Sequence, residues 1–310
     1  MLLSEIASLT GGKLVGDGKT EIGSVSTIEN AKKGDLVFVL EESFLADALG
    51  SRASAFVLPE NLSADGRPAV LAKNPRLAMS IVLKKFQPAP ELVPGVHRLA
   101  EVHPSARLGK NVEVGPFAYI GPEVEIGDGS VIHPNVTLYK GVKLGKNCIV
   151  HAGARIGVDG YGFVPTASGL EKIPQIGGVV IGDNVEIYAN VCIARGTIGD
   201  TKIGSGSKID DLTHVAHNCE FGRNCAVTGL VGFAGSVILG DNVSVGGQAG
   251  FSGHLTVGNN AVIMARSGVT KDIPSDAIVS GFPAIDHKKD FEVQASLRRL
   301  PETLKKIKEK

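Results

Sequence analysis

The chain of 310 residues contains no tryptophan, and aromatic residues make up only 5% of it. A core built on large rings is therefore not expected; thin layers of aliphatic side chains are. Formal charge also cancels, with 32 Lys and Arg against 32 Asp and Glu. Nothing global attracts nucleic acid, and no base-reading module is visible. No apolar run reaches transmembrane length. The opening MLLSEIASLT carries an acid and no basic region, so we do not expect a signal peptide. Cysteine is scarce, at four residues, without a CxxC pair. Cys148, Cys219 and Cys225 fall at small inward positions of a repeat, and Cys192 has no obvious partner. Neither a disulfide framework nor a zinc site is expected, which suits a reducing, cytoplasmic setting.

Glycine, by contrast, is abundant at 40 residues, nearly twice the usual share of about 7%. With it comes a period. An aliphatic or phenylalanine residue recurs at every sixth position from Val102, Leu108 and Val114 through Ile156, again at Ile181, Ile187 and Ile193, and from Ile203 through Val269. Six fits neither the helical period of 3.6 nor the strand period of 2. It fits a β-solenoid in which each hexapeptide forms one side of a triangular coil, three units close a turn, and successive turns lie about 4.8 Å apart. Glycine often follows the aliphatic residue, which suggests a corner needing unusual φ. The break at 158–178, rich in turn residues, should project as a loop able to carry contacts.

The flanks depart from this period. Residues 1–87 read as a small α/β domain, with helices at 2–9, 43–50 (capped by Ser43) and 74–86, the last with Pro75 in its first turn, and strands at 13–15, 21–25, 35–40, 53–58 and 69–72. Residues 88–99 form a proline-rich linker, and 100–273 the solenoid. Residues 284–310 read as one or two helices broken near Pro301, ending in a basic tail.

Proton-moving groups concentrate in KIDDLTHVAHNCEFG, residues 208–222: Asp210, Asp211, His214 and His217. Eighteen residues after His217 stands Gly235, which should stack on it one strand spacing away. A histidine beside a side-chain-free backbone N–H suits acyl transfer, with the imidazole as base and the N–H stabilising the oxyanion. Asp210, seven residues earlier, is the candidate to hold the other ring nitrogen, with Asp211 as fallback. His254, two coils and one residue on, should line the same groove at about 10 Å.

The segments VDGYGF (158–163), RGTIGDTKIGSGSKIDDLTHVAHN (195–218), GGQAGFSGH (246–254) and SGFPA (280–284) resemble the UDP-3-O-acylglucosamine N-acyltransferase family of lipid A biosynthesis. The resemblance spans essentially the whole chain. One departure is Ala194, where that family usually has Asp before Arg-Gly. The resemblance implies a left-handed parallel β-helix, a homotrimer with sites in the grooves between copies, and no required metal or tightly bound cofactor. It implies a 3-hydroxyacyl donor on the phosphopantetheine arm of acyl carrier protein and a UDP-sugar amine as acceptor. It makes His217 the general base, Gly235 the oxyanion donor and His254 an assisting group. Phe44, in the N-terminal domain, would stack on uracil, and Arg298, Arg299, Lys305 and Lys306 offer a docking surface for the acidic carrier protein. The alternative within the same fold is an acetyl-CoA-dependent sugar or amino-acid acetyltransferase.

Overall fold

The computed structural model describes residues 1–88 and 93–308, the side chain of Lys308 excepted, so residues 89–92 of the expected linker and the end of the basic tail lie outside it. The chain separates into two compact units, Met1–Glu91 and Leu92–Lys310.

The first unit is a five-stranded sheet covered on both faces. Its strands are β1 (Lys13–Val15), β2 (Ser24–Val25), β3 (Asp35–Phe38), β4 (Ala55–Pro59) and β5 (Ala69–Ala72), in the order β1-β5-β4-β3-β2, and only the β1–β5 pair is antiparallel. Helix α1 (Leu3–Thr10) ends at Gly11, whose φ of 65° is a left-handed cap that glycine adopts without penalty. It buries Leu3 and Ile6 against the sheet together with Ala78 and Val82 of helix α3 (Pro75–Phe86). The Asn74 side chain caps α3, accepting from the Leu77 N–H at 3.0 Å, and Pro75 sits where no intrahelical N–H is needed. Ser43 does not cap a helix as expected. Glu42–Phe44 form a 3-10 turn, and helix α2 (Leu45–Gly50) starts after Phe44 with no side-chain cap.

The second unit is mainly β: a left-handed parallel β-helix of hexapeptide repeats with a terminal helix. Three sheets form its faces. The nine-stranded first face runs through Val102, Ile120, Leu138, Ile156, Ile193, Val215, Phe233, Phe251 and Val269, each paired with the next in parallel. In the two-residue strands of the repeat from Glu113–Val114 to Val262–Ile263 the second residue points into the coil and the first is the more exposed. From Val112 onward the inward residues join one continuous buried stack. Within it Phe233 and Phe251 stack at 4.5 Å, and Phe221 meets Phe233 edge-on at 4.8 Å.

The corners are left-handed at the third residue after the aliphatic one, and Asn holds many of these positions, Asn218 (φ 59°) and Asn224 (φ 56°) among them. Gly157 (φ 91°) meets the expectation for a glycine directly after the aliphatic residue, but the others have a different reason. A Cβ on Gly127 would meet the Gly145 carbonyl carbon at 2.6 Å, so it is close stacking of coils, not φ, that excludes a side chain there.

Two interruptions of the repeat emerge at one corner. Ile156 pairs with Ile193 and Ile193 with Val215, separations of thirty-seven and twenty-two residues instead of eighteen. The longer insertion, residues 158–178, carries an exposed hairpin of Phe163–Thr166 and Gly169–Lys172. The shorter one lies between Ala194 and Thr201. Both follow the first face in successive coils, and His217 occupies the same corner one coil further.

Helix α4 (His287–Lys308) is continuous through Pro301 and not broken there as expected. The exposed apolar residues Leu297, Leu300, Leu304 and Ile307 stay in helical phase across the proline, which removes a single hydrogen bond from a helix of 22 residues. Among the described residues no helix is long and apolar enough to cross a membrane.

Candidate active site

The corner that follows the first face gathers His217, Gly235, Gly253 and His254. Strand pairing of Val215 with Phe233 carries the register two residues on, so that Gly235 lies against the His217 ring. A Cβ on Gly235 would stand 2.6 Å from His217 Cε1 and 2.7 Å from Nε2. Only glycine permits this approach. From the loop side Gly160, in the VDGYGF segment, does the same, since a Cβ there would lie 2.9 Å from His217 Cβ and 3.1 Å from Cδ2. The imidazole is thus held between two side-chain-free backbones and is half-buried.

The same column explains an available N–H. At the corner that follows Phe221 and Leu239, on another face, the amide two residues after the core residue donates to a side chain one coil on: Arg223 to Asp241 Oδ1 at 2.7 Å, Asp241 to Asn259 Oδ1 at 2.8 Å. The residue one coil after Gly235 is Gly253, which has no side chain. Among the described residues no acceptor takes the Gly235 N–H, whereas those of Ala234 and Ser236 go to Phe251 and His217 carbonyls. An oxygen entering this corner finds an uncommitted donor beside the Nε2 edge of His217.

Asp210 does not hold His217. It follows Ile209, which pairs with Ile187 and Val227 on the face that precedes the first one along the chain, and therefore sits at the preceding corner; a separation of seven residues is one hexapeptide plus one, which advances the chain to the next side of the triangle instead of the next coil. Asp211 is committed elsewhere, capping the Ala189 N–H at 2.7 Å. The ring nitrogen Nδ1 instead faces Asn218 Oδ1 at 3.1 Å and Thr197 Oγ1 at 3.4 Å. Sequence reasoning missed both. The signal was the pair of insertion lengths, which bring 197 to the same corner one coil before 217. His254 lies two coils on at the same corner, exposed, with φ 60° and its N–H on the Gly235 carbonyl at 3.0 Å. His214 points outward from the first face, between Cys192 and Gly232, away from the corner.

At the departure Ala194, the methyl group is buried and Arg195 extends past it, its Nε donating to the Gly157 carbonyl at 2.9 Å and Nη2 to that of Lys140 at 2.6 Å. This arginine ties the base of the long insertion to the coil. Cys219, next to the site, is no nucleophile: burial pushes its thiol up to about 11, and it donates to the Ala234 carbonyl. We expect no alkylation of Cys219 by iodoacetamide at pH 7.5 in the native protein and full labelling after denaturation, read by mass spectrometry. Among the described residues no three His, Cys, Asp or Glu side chains converge as a metal site.

A second concavity lies within the first unit. A cavity of about 580 Å³ is lined by Val25, Thr27, Phe38, Phe44, Arg76 and Met79, among others. Phe44 is 49% exposed at this cavity, and Arg76 reaches Glu41 at 3.9 Å.

Comparison with known proteins agrees with this architecture. The family model described as UDP-3-O-(3-hydroxymyristoyl) glucosamine N-acyltransferase, LpxD, matches residues 19–85, and the bacterial transferase hexapeptide model matches 105–140 and 123–157. UDP-3-O-acylglucosamine N-acyltransferase 1 of Gloeobacter violaceus is 44% identical over 99% of this chain and 93% of its own length. The UDP-3-O-acylglucosamine N-acyltransferase of Dechloromonas aromatica is 47% identical over 100% and 94%. Among solved structures, the UDP-N-acetylglucosamine O-acyltransferase of Moraxella catarrhalis superposes with a TM-score of 0.58 at 26% identity, over 62% of this chain and 73% of that one. With full-length relatives at this identity, the chain belongs to the UDP-3-O-acylglucosamine N-acyltransferase family.

Proposed function

We propose that the protein is the acyltransferase that moves a 3-hydroxyacyl chain from the phosphopantetheine thioester of acyl carrier protein to the 2-amino group of UDP-3-O-(3-hydroxyacyl)glucosamine, in lipid A biosynthesis. The observation that carries the reading is the His217 ring set directly over Gly235, in a chain alignable end to end with relatives of that name. The amine attacks the thioester carbonyl while His217 Nε2 takes its proton. The tetrahedral oxyanion is met by the Gly235 N–H. When the C–S bond breaks, the imidazolium returns the proton to the departing thiolate, leaving an amide and a free thiol. Every proton is accounted for by one side chain, and the chemistry calls on neither a metal nor a tightly bound cofactor.

In this reading His254, two coils along the same corner, positions the donor or stabilises charge. The protein works as a homotrimer in the cytoplasm, with the corner opening onto a groove against a second copy. The first unit holds the uridine, with Phe44 stacked on uracil, and the basic residues Arg298, Arg299, Lys305 and Lys306 of α4 receive the acidic carrier protein. Stacking of a base on an aromatic ring contributes about 1–3 kcal/mol. Phe44→Ala should therefore raise KM for the UDP-sugar about tenfold with little change in kcat. An unchanged KM would remove Phe44 from the site.

A further inference from the structure

The partners of His217 Nδ1 are connected to the long insertion by a chain of bonds whose direction can be worked out. Gln175, in that insertion, is 7% exposed, and its Nε2 donates to the Ile173 carbonyl at 2.9 Å. This fixes Oε1 as the atom facing Thr197, whose hydroxyl donates to it at 2.8 Å. A hydroxyl has one hydrogen, so toward His217 Thr197 Oγ1 can only accept. Asn218 is fixed in the same sense. Its Nδ2 donates to the Ile198 carbonyl at 2.8 Å, and its Oδ1 accepts the Thr197 N–H at 2.9 Å, so Oδ1 faces the imidazole. Both groups that meet Nδ1 are acceptors. The hydrogen of the neutral ring must then sit on Nδ1, and Nε2, at Gly235, carries the lone pair.

We infer that Gln175, acting through Thr197, is a positioning residue that sets the tautomer of His217, so that the projecting insertion completes the base. Three neutral groups do here what a carboxylate at Asp210 was expected to do. This inference rests on the reading of His217 as general base. Without Gln175 the Thr197 hydroxyl is released and can turn its hydrogen toward Nδ1, which favours the tautomer with Nε2 protonated and unable to accept. The loss therefore runs through the hydroxyl, and removing that hydroxyl should cancel it.

The test is a double-mutant cycle on kcat for acyl transfer from acyl carrier protein, with thermal melting of each variant alongside. Gln175→Met should lower kcat about tenfold, through a partial shift of the ring to the wrong tautomer while Asn218 still accepts from Nδ1, with KM nearly unchanged. Thr197→Val leaves Asn218 as the single acceptor and should cost about threefold, the size of one weak bond. The double variant should return to the level of Thr197→Val alone, so that the second substitution rescues the first. Losses that add, or a Gln175→Met enzyme with wild-type kcat, would overturn the assignment. Gln175→Glu serves if the methionine variant melts early. Its carboxylate still accepts from the Thr197 hydroxyl, so kcat should stay within about threefold of wild type; a tenfold loss in a variant that melts normally counts against the assignment. His217→Ala separates the two levels. If it stays active, the base reading fails and the inference with it; if it is dead while the cycle is additive, only the inference fails.

Discussion

Replacing His217 with alanine should lower kcat by about 10³-fold while the protein keeps its fold. The side chain lies at a corner, outside the aliphatic stack, and its hydrogen-bond partners Asn218 and Thr197 are anchored independently by the Ile198 carbonyl and by Gln175. Deleting the ring leaves a space between Gly160 and Gly235 at a half-buried corner, not a cavity in the aliphatic core. Far-ultraviolet circular dichroism and the melting temperature should be close to wild type. Because the proton on the attacking amine then has no acceptor, KM should change little and the whole loss should fall in kcat. A variant that retains more than a tenth of the activity would show that another group, or water, takes the proton.

The second large effect is expected at Gly235. A methyl group there would overlap His217 Cε1 and Nε2 at 2.6 and 2.7 Å, well inside van der Waals contact. The imidazole cannot retreat, because Gly160 closes in on its opposite side at Cβ and Cδ2. Gly235→Ala should push Nε2 off the line to the amine and crowd the residue's own amide beside it, with a loss of about 10²-fold in kcat. Gly232→Ala is the control: it lies on the Gly232–Phe233 strand that leads into this corner, and a Cβ there meets nothing within 4 Å. It should be nearly silent. Equal losses in the two variants would mean that glycine is needed by this turn of the coil in general and not for the approach to His217.

The six-residue period made the solenoid legible, because each inward residue repeats the same burial and nothing else in the chain has that rhythm. The eighteen-residue return followed from it and located Gly235 against His217. The same arithmetic, applied to Asp210, shows why that expectation failed: seven residues is not a return, and a corner separates the two side chains. Legibility also stopped at the insertions. Counting from Ile156 to Ile193 and from Ile193 to Val215 would have placed both at one corner, but nothing in the local composition of 158–178 says that Gln175 turns inward. Its burial comes from Thr197 and from the loop's own Ile173 carbonyl, contacts made only once the coil is wound. The glycines after the aliphatic residues, Gly157 with its φ of 91° excepted, were noticed for the wrong reason, since φ is a local property and the close stacking at Gly127 and Gly145 is not. Pro301 misled in the opposite direction: a local breaker was overruled by an apolar stripe that stays in phase on either side.

The most direct test of the account is transfer of a radiolabelled 3-hydroxyacyl group from acyl carrier protein to UDP-3-O-(3-hydroxyacyl)glucosamine, measured beside acetyl transfer from acetyl-CoA to amino sugars and amino acids. The account expects an N-acylated UDP-sugar, released thiol in equal amount, and no use of acetyl-CoA. Consumption of acetyl-CoA with no transfer from the carrier protein at any chain length would contradict it.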